Sequence, residues 1–189
     1  MIDHNAKLIA TAGKNYNFLL DTSAILYFEK MWQHSGVSIF EVFKELPEVE
    51  FFVCNDVLSE LISGTKGLPP TRFSTFINHV LNAESAINAD WKENRFLIKD
   101  NGQTKYIVLN KISPTDYAQI LLCQNHPELV LVVNDRKMLR SGSQIIPERI
   151  IGIPALLNRL LDVFPENDRL KTLKNTGEYI FKKKHALGV

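Results

Sequence analysis

The chain has 189 residues, of which 45% are hydrophobic and 23% are charged; this composition favours one globular domain with a sizeable core over a disordered chain. Its formal net charge of +1 excludes a general polycation, so any nucleic acid must be held by a local basic patch. Two cysteines and the lack of any apolar run of signal-peptide or membrane-span length predict a protein of the reducing cytoplasm, without a disulfide framework or a membrane segment.

The first half of the chain alternates between short apolar runs and stretches with helical periodicity. Five elements are predicted in this order: a strand over 16–20, a helix from Thr22 to about Trp32, a helix over 39–46, a strand over 50–54, and a helix over 57–64 with Asn55 as its N-cap. A further helix opens at Pro69 and Pro70 and runs through Leu81.

The second half begins with two strands, 96–99 and 106–109, on either side of an Asn-Gly pair that is typical of a tight hairpin turn. These predict a β-hairpin insertion at about residues 95–110. The remaining predicted elements are a helix from the Ser113 cap to about Asn125, a buried strand over 129–133, a last strand region over 145–151, and a helix opened by Pro154. Such sustained alternation indicates an α/β fold.

After Leu161 the composition changes. Residues 162–189 hold six Lys or Arg against four acids, including the run Lys182–Lys184. We predict a domain over 1–161 and a basic C-terminal appendage over 162–189 that packs weakly or docks on a partner.

Four acids follow or open apolar segments: Asp21, Glu60, Asp116 and Asp135. Such segments of an α/β fold can converge on one edge of the sheet. Carboxylates about 5 Å apart repel by about 3 kcal/mol per pair at an effective dielectric constant near 20, so a cluster must take up protons or bind a cation. A hard cation such as Mg²⁺ prefers these oxygen ligands and can polarise a phosphoryl group, so the set suits phosphodiester hydrolysis.

Each acid also has a purely structural interpretation. Asp21 and Asp135 are suited to cap the helices that follow them. Asp116 completes a capping box with Ser113, and Glu60 fits a solvated helix position. Only the joint arrangement of the four favours a site.

The order of these motifs resembles the PIN-domain nuclease family over about residues 16 to 161. The segment 17–23, Asn-Phe-Leu-Leu-Asp-Thr-Ser, resembles that family's first strand and first acid. The segments 55–61, 115–120 and 131–136 are similar to its helical glutamate, its aspartate at a helix start, and its late strand with the last aspartate.

The resemblance implies a three-layer α/β/α sandwich with a mainly parallel central sheet, and Mg²⁺- or Mn²⁺-dependent cleavage of single-stranded RNA. Asp21, Glu60, Asp116 and Asp135 would then be the catalytic and metal-binding residues, with Ser23 and Asn134 positioning them or a water. The implied partners are an RNA substrate and an antitoxin or other protein, with a second copy of the chain as a further candidate.

Basic residues follow the last acid, where they are placed to hold phosphates: Arg136, Lys137 and Arg140. The run Lys182–Lys184 offers a second contact. The alternative is that all of them are ordinary solvated side chains. The five histidines show no metal spacing, and Cys123 with His126 is only a half-site, so we interpret them as structural or solvated.

Three alternatives remain open from the sequence. The fold could serve as a non-catalytic scaffold that binds RNA or protein, which acids too far apart to share an ion would favour. A haloacid-dehalogenase-type phosphohydrolase also begins with an Asp after a strand, but that family needs a second Asp where this chain has Ser23. The third alternative concerns role, a toxin with an antitoxin peptide or a processing nuclease without one.

Overall fold

The structure is a computed structural model that describes residues 16–46, 48–64, 79–81, 95–100, 102–109 and 112–186. Its elements in chain order are β1 (Tyr16–Leu20), α1 (Thr22–Ser35), α2 (Ile39–Lys44), β2 (Val49–Cys54), α3 (Asn55–Gly64), β3 (His79–Leu81), β4 (Arg95–Asp100), β5 (Gln103–Val108), α4 (Pro114–Asn125), β6 (Leu129–Val133), α5 (Arg136–Gly142), β7 (Ile150–Gly152), α6 (Ile153–Val163) and α7 (Asp168–Ala186). No described helix is both long enough and apolar enough to cross a membrane.

Five strands form one sheet in the order β3-β2-β1-β6-β7, and every pairing in it is parallel. β1 lies at the centre, paired with β2 on one side and β6 on the other. The last three residues of both β1 and β6 are buried, as expected for strands covered on both faces. The predicted α/β fold with a parallel central sheet is confirmed.

Helices cover both faces of this sheet. On one face α7 packs against α1, α2 and α6. On the other, α5 lies so close to its neighbours that a Cβ added at Gly142 would stand 2.7 Å from Ile150 Cδ1 and 3.5 Å from Ile120 Cδ1 of α4. The crossovers β1 to β2 and β6 to β7 run in opposite directions, so right-handed connections place their helices on opposite faces.

The predicted hairpin insertion is confirmed as a separate two-stranded antiparallel sheet. β4 pairs with β5 from Arg95 opposite Val108 to Asp100 opposite Gln103, and Gly102 supplies the positive φ, 78°, that the turn requires. Phe96 anchors the hairpin on α4, where its ring centroid lies 4.4 Å from that of Tyr117.

Two sequence predictions of local structure were wrong. The helix predicted to run through Leu81 cannot include 79–81, because these residues form β3 and pair in parallel with Phe52–Cys54; the start of that prediction lies outside the described residues. Ile145 and Ile146 are not part of a strand. Their N–H groups both donate to the carbonyl of Gly142, which closes a turn after α5, and only 150–152 pair with β6.

The prediction that the C-terminal segment packs weakly was also wrong. Helix α7 buries three apolar side chains in the core, Leu170, Leu173 and Ile180. The Tyr27 hydroxyl of α1 donates to the carbonyl of Gly177 at 3.1 Å. The apolar residues recur at helical spacing between the charges, so the helix presents an apolar stripe to α1. The division into a domain and an appendage stays a prediction.

Candidate functional site

The carboxyl ends of β1 and β6 form the sheet edge at which the acids lie. Leu20 pairs with Val132, and the N–H of Asp21 donates to the carbonyl of Val132 at 3.1 Å. Asp135 follows two residues after the end of β6, and Glu60 lies on α3, directly after β2. Parallel neighbours end at the same edge, so the topology brings acids from three strand ends to one side of the sheet.

Asp21 is a buried carboxylate, 5% exposed. Its Oδ2 accepts hydrogen bonds from the N–H of Ser23 at 2.9 Å and from the Ser23 hydroxyl, and its Oδ1 accepts from Nε2 of Gln119 at 3.0 Å. No described Lys or Arg forms an ion pair with it. Asp21 thus caps α1 and is held by neutral donors only, which leaves its charge without a cation.

Ser23 ties the two strand ends together. Its hydroxyl donates to Asp21, and its Oγ accepts from the backbone N–H of Asn134 at 2.9 Å. The hydroxyl proton of Ser23 is therefore donated to the carboxylate of Asp21. Asn134 takes part through its backbone, and its side chain is exposed.

Asp116 forms the predicted capping box at the start of α4. Its N–H donates to Ser113 Oγ at 3.0 Å, and the Ser113 N–H donates to its Oδ2 at 3.2 Å. Burial raises the pKa of Asp116, and the charges of Asp21 and Asp135 raise it further, against the hydrogen bonds from Ser113, which lower it. Asp21 and Asp135 thus both lie close enough to Asp116 for their charges to act on it.

Asp135 is exposed and caps α5. Its Oδ1 accepts from the N–H of Lys137 at 2.6 Å and from the N–H of Met138 at 3.2 Å. Because Oδ2 makes none of these bonds, one oxygen of Asp135 is left for another ligand.

Glu60 is exposed on α3, and its Oε2 accepts from the hydroxyl of Thr22 at 2.6 Å. This bond links α3 to the first turn of α1, next to Asp21. The structure therefore brings Glu60 to the correct edge of the sheet, although on its solvent side.

The described residues contain no group of three or more Asp, Glu, His or Cys side chains at the spacing of a single metal site. The set is nevertheless chemically suited to a hard divalent cation, because its donors are oxygens and Asp21 is buried without a positive partner. Mg²⁺ is typically held by one or two carboxylates and keeps several waters, so the acids fit such an ion without all of them touching it.

Sequence reasoning missed Gln119. This side chain is fully buried; its Nε2 donates to Asp21, and its Oε1 has no hydrogen-bond partner within the part of the chain that the structure describes. Gln119 fixes the orientation of the Asp21 carboxylate and turns an acceptor oxygen into the same region. The sequence feature that could have identified Gln119 is its spacing, because a residue three positions after Asp116 in a helix lies on the same face as Asp116.

The basic residues after Asp135 are all exposed: Arg136, Lys137 and Arg140. The Arg136 guanidinium lies over the ring of Phe181 of α7, 5.5 Å from the ring centroid. The cysteines take no part in this chemistry, although Cys54 ends β2 within reach of the Asp21 charge: burial raises the pKa of the Cys54 thiol to about 11 and that of Cys123 to about 12. Neither thiol is available as a thiolate at neutral pH.

No protein-family model and no curated protein matches this sequence. Among solved structures, the chain is similar to the PIN domain endonuclease Utp24, with a TM-score of 0.43 and 12% sequence identity over 76% of this chain and 89% of that one. The same fold family was named from the sequence motifs.

Proposed function

We propose that the chain is a divalent-metal-dependent endoribonuclease that hydrolyses phosphodiester bonds of single-stranded RNA at the edge formed by Asp21, Glu60, Asp116 and Asp135. One observation carries the proposal. A buried carboxylate without a cation, Asp21, lies close enough to Asp116 of another element for its charge to raise the pKa of Asp116, and the charge of Asp135 from a third element raises that pKa as well. Such crowding is unfavourable without protonation or a cation, and functional sites are where it is tolerated.

Asp21, Asp116 and Asp135 would hold Mg²⁺ or Mn²⁺, with Glu60 at the outer side of the site. When bound, the ion supplies Lewis-acid polarisation of the phosphoryl group and lowers the pKa of a bound water. The chain's own residues orient the carboxylates. Ser23 holds Oδ2 of Asp21 and Gln119 holds Oδ1. The Oε1 of Gln119 is an acceptor for a hydrogen bond from an ordered water.

The test is cleavage of a labelled single-stranded RNA by the purified chain, with Mg²⁺ or Mn²⁺ and with EDTA. We expect metal-dependent cleavage that falls about a hundredfold or more in Asp21→Asn and Asp116→Asn, because a metal contribution of several kcal/mol corresponds to that factor. Glu128→Gln is the matched control, since Glu128 is an exposed acid before the start of β6, at the opposite edge of the sheet. Equal cleavage by all four proteins would refute the site.

A second candidate is a non-catalytic scaffold that binds RNA or protein. It is favoured by the lack of a three-ligand group among the described residues and by the caps that Asp21, Asp116 and Asp135 each form. RNA binding without metal-dependent cleavage, and without any effect of the aspartate substitutions, would select it.

A cytoplasmic toxin-type role is part of the proposal, with an antitoxin peptide as the partner. Its support is the resemblance of the four motifs to the PIN-domain family. A processing nuclease would act without such a peptide, so growth arrest on expression, relieved by a neighbouring gene product, distinguishes the two roles.

A further inference from the structure

The C-terminal helix α7 carries a basic and aromatic end to the residue that follows the last aspartate. Phe181 meets Arg136 at 5.5 Å, and Arg136 is the direct neighbour of Asp135 in the chain. Two aromatic side chains of this end are exposed to solvent, Tyr179 at 56% and Phe181 at 49%. Large exposed aromatic side chains next to cations are typical of binding surfaces.

The position of this end is fixed by the rest of α7. Ile180 is buried beside it, and one turn earlier Gly177 accepts a hydrogen bond from Tyr27 and faces Met31, whose Cε would lie 3.6 Å from an added Cβ. Phe181 is therefore presented on a rigid helix, and no ordering of a tail is needed before it binds.

The charge around Phe181 is positive. Among the described residues, the exposed cations of the segments 135–140 and 178–183 are Arg136, Lys137 and Arg140 of α5 and Lys182 and Lys183 of α7, against the exposed acids Asp135 and Glu178. The whole chain has a net charge of only +1, so this excess is local. A polyanion is attracted to this surface and not to the molecule in general.

We propose that the surface formed by Phe181, Arg136, Lys182 and Lys183 binds a single strand of RNA, stacking one base on the ring of Phe181 and leading the next phosphates to Asp135. This inference rests on the proposed nuclease function and names how its substrate is held. Phe181 is 49% exposed, and the Arg136 guanidinium over its ring strengthens the stacking of a base through the cation–π interaction. The lysines contact the backbone.

The test measures affinity of a fluorescent ten-nucleotide oligouridylate by anisotropy in EDTA, where no cleavage competes, for wild type, Phe181→Leu and Phe181→Trp. We expect Phe181→Leu to bind about tenfold more weakly, the usual loss for one stacked base. Phe181→Trp keeps the affinity, because it keeps the aromatic face. Inorganic polyphosphate has no bases, so Phe181→Leu leaves its affinity unchanged.

The lysines are tested separately. The double variant Lys182→Ala/Lys183→Ala lowers the steepness of the salt dependence by about 1.4 in log–log slope, because each phosphate contact of a single strand contributes about 0.7. Tyr106→Leu is the matched control for Phe181→Leu, since Tyr106 is also a large exposed aromatic, 60% against 49%, and also lies under an arginine, Arg95.

Affinity of Phe181→Leu within twofold of wild type overturns the inference, as does an equal loss of oligouridylate and polyphosphate binding. A loss in Tyr106→Leu alone also overturns it and assigns the strand to the hairpin. The unfolding temperature of Phe181→Leu, expected close to that of wild type for a half-exposed residue, shows that the fold is intact. The nuclease function is tested separately, by comparing cleavage by wild type and Asp21→Asn. If Phe181→Leu binds RNA as tightly as wild type while wild type cleaves RNA and Asp21→Asn does not, this binding surface is rejected and the nuclease function stands.

Discussion

At the scale of single residues, the acids at the sheet edge serve two purposes. Asp21, Asp116 and Asp135 each satisfy backbone N–H groups at a helix start, and the same caps hold their carboxylates near one another. The structural and functional interpretations of these residues therefore do not exclude each other. A helix cap fixes a carboxylate in place, and this is what a metal site also requires.

The raised pKa of Asp116 predicts a pH dependence. The folded chain binds this proton more tightly than the unfolded chain, so the stabilising contribution is present below the ordinary aspartate pKa of about 3.9 and is lost as pH rises through the raised pKa. Asp116→Asn does not ionise and retains an oxygen for the N–H of Ser113. We expect the free energy of unfolding of Asp116→Asn, relative to that of wild type, to increase as pH rises through this window.

Urea unfolding of both proteins at a series of pH values in EDTA measures this difference. A difference that stays constant with pH, or a variant that loses stability relative to wild type as pH rises, would contradict the raised pKa of Asp116.

At the scale of elements, the packing of α7 determines which side chains lie beside the candidate site. Its sequence is dominated by charge, yet Leu170, Leu173 and Ile180 form a buried stripe, and this docking carries Phe181 to Arg136. The hairpin shows the same behaviour, because the buried ring of Phe96 packs on Tyr117 and the Tyr117 hydroxyl donates to the carbonyl of Arg95. A small number of apolar residues at the correct spacing is therefore enough to determine where a charged element packs.

We expect Leu173→Ala in α7 to lower the free energy of unfolding by about 2–5 kcal/mol, the usual cost of removing a fully buried leucine side chain. Leu173 is 0% exposed. Asn175→Ala, at an exposed position of the same helix, should stay within about 0.5 kcal/mol of wild type. Thermal or urea unfolding measures both, and equal small effects would indicate that α7 is not part of the core.

At the scale of the whole molecule, the parallel sheet gathers groups that are distant in the chain. Asp21 and Gln119 are 98 positions apart and Ser23 and Asn134 are 111 apart, yet each pair is joined by a hydrogen bond. The site is thus an assembly of the complete fold, and ligand binding there must stabilise the complete fold.

Mg²⁺ is expected to raise the unfolding temperature of the wild-type chain, with a stabilisation of about 2.7 kcal/mol at a concentration one hundred times its Kd. Asp21→Asn should lose most of this increase, because the buried negative charge that attracts the ion is removed. Glu128→Gln, at the opposite edge of the sheet, should retain it. A calorimetric or fluorescence unfolding scan with and without Mg²⁺ measures the change in unfolding temperature. An equal increase in all three proteins would indicate that the ion binds elsewhere.

The sequence by itself determined much of the local structure. The Ser113 cap with Pro114 predicts α4 and its capping box, and the run Leu129–Val133 predicts a buried strand, because these signals depend on near neighbours in the chain. The edge shared by Asp21 and Asp135 also follows from the sequence, since Asp21 comes directly after one strand of a parallel sheet and Asp135 two residues after another.

Only the tertiary structure decided three other features. β3 forms because His79–Leu81 pair with Phe52–Cys54. The apolar residues before Leu81 recur at helical spacing, and this local pattern does not indicate a strand partner. Gln119 reaches Asp21, and α7 carries Phe181 to Arg136, through contacts between elements far apart in sequence. Such contacts depend on how the faces of the sheet and helices meet in space, and the pattern within any one segment carries no information about them.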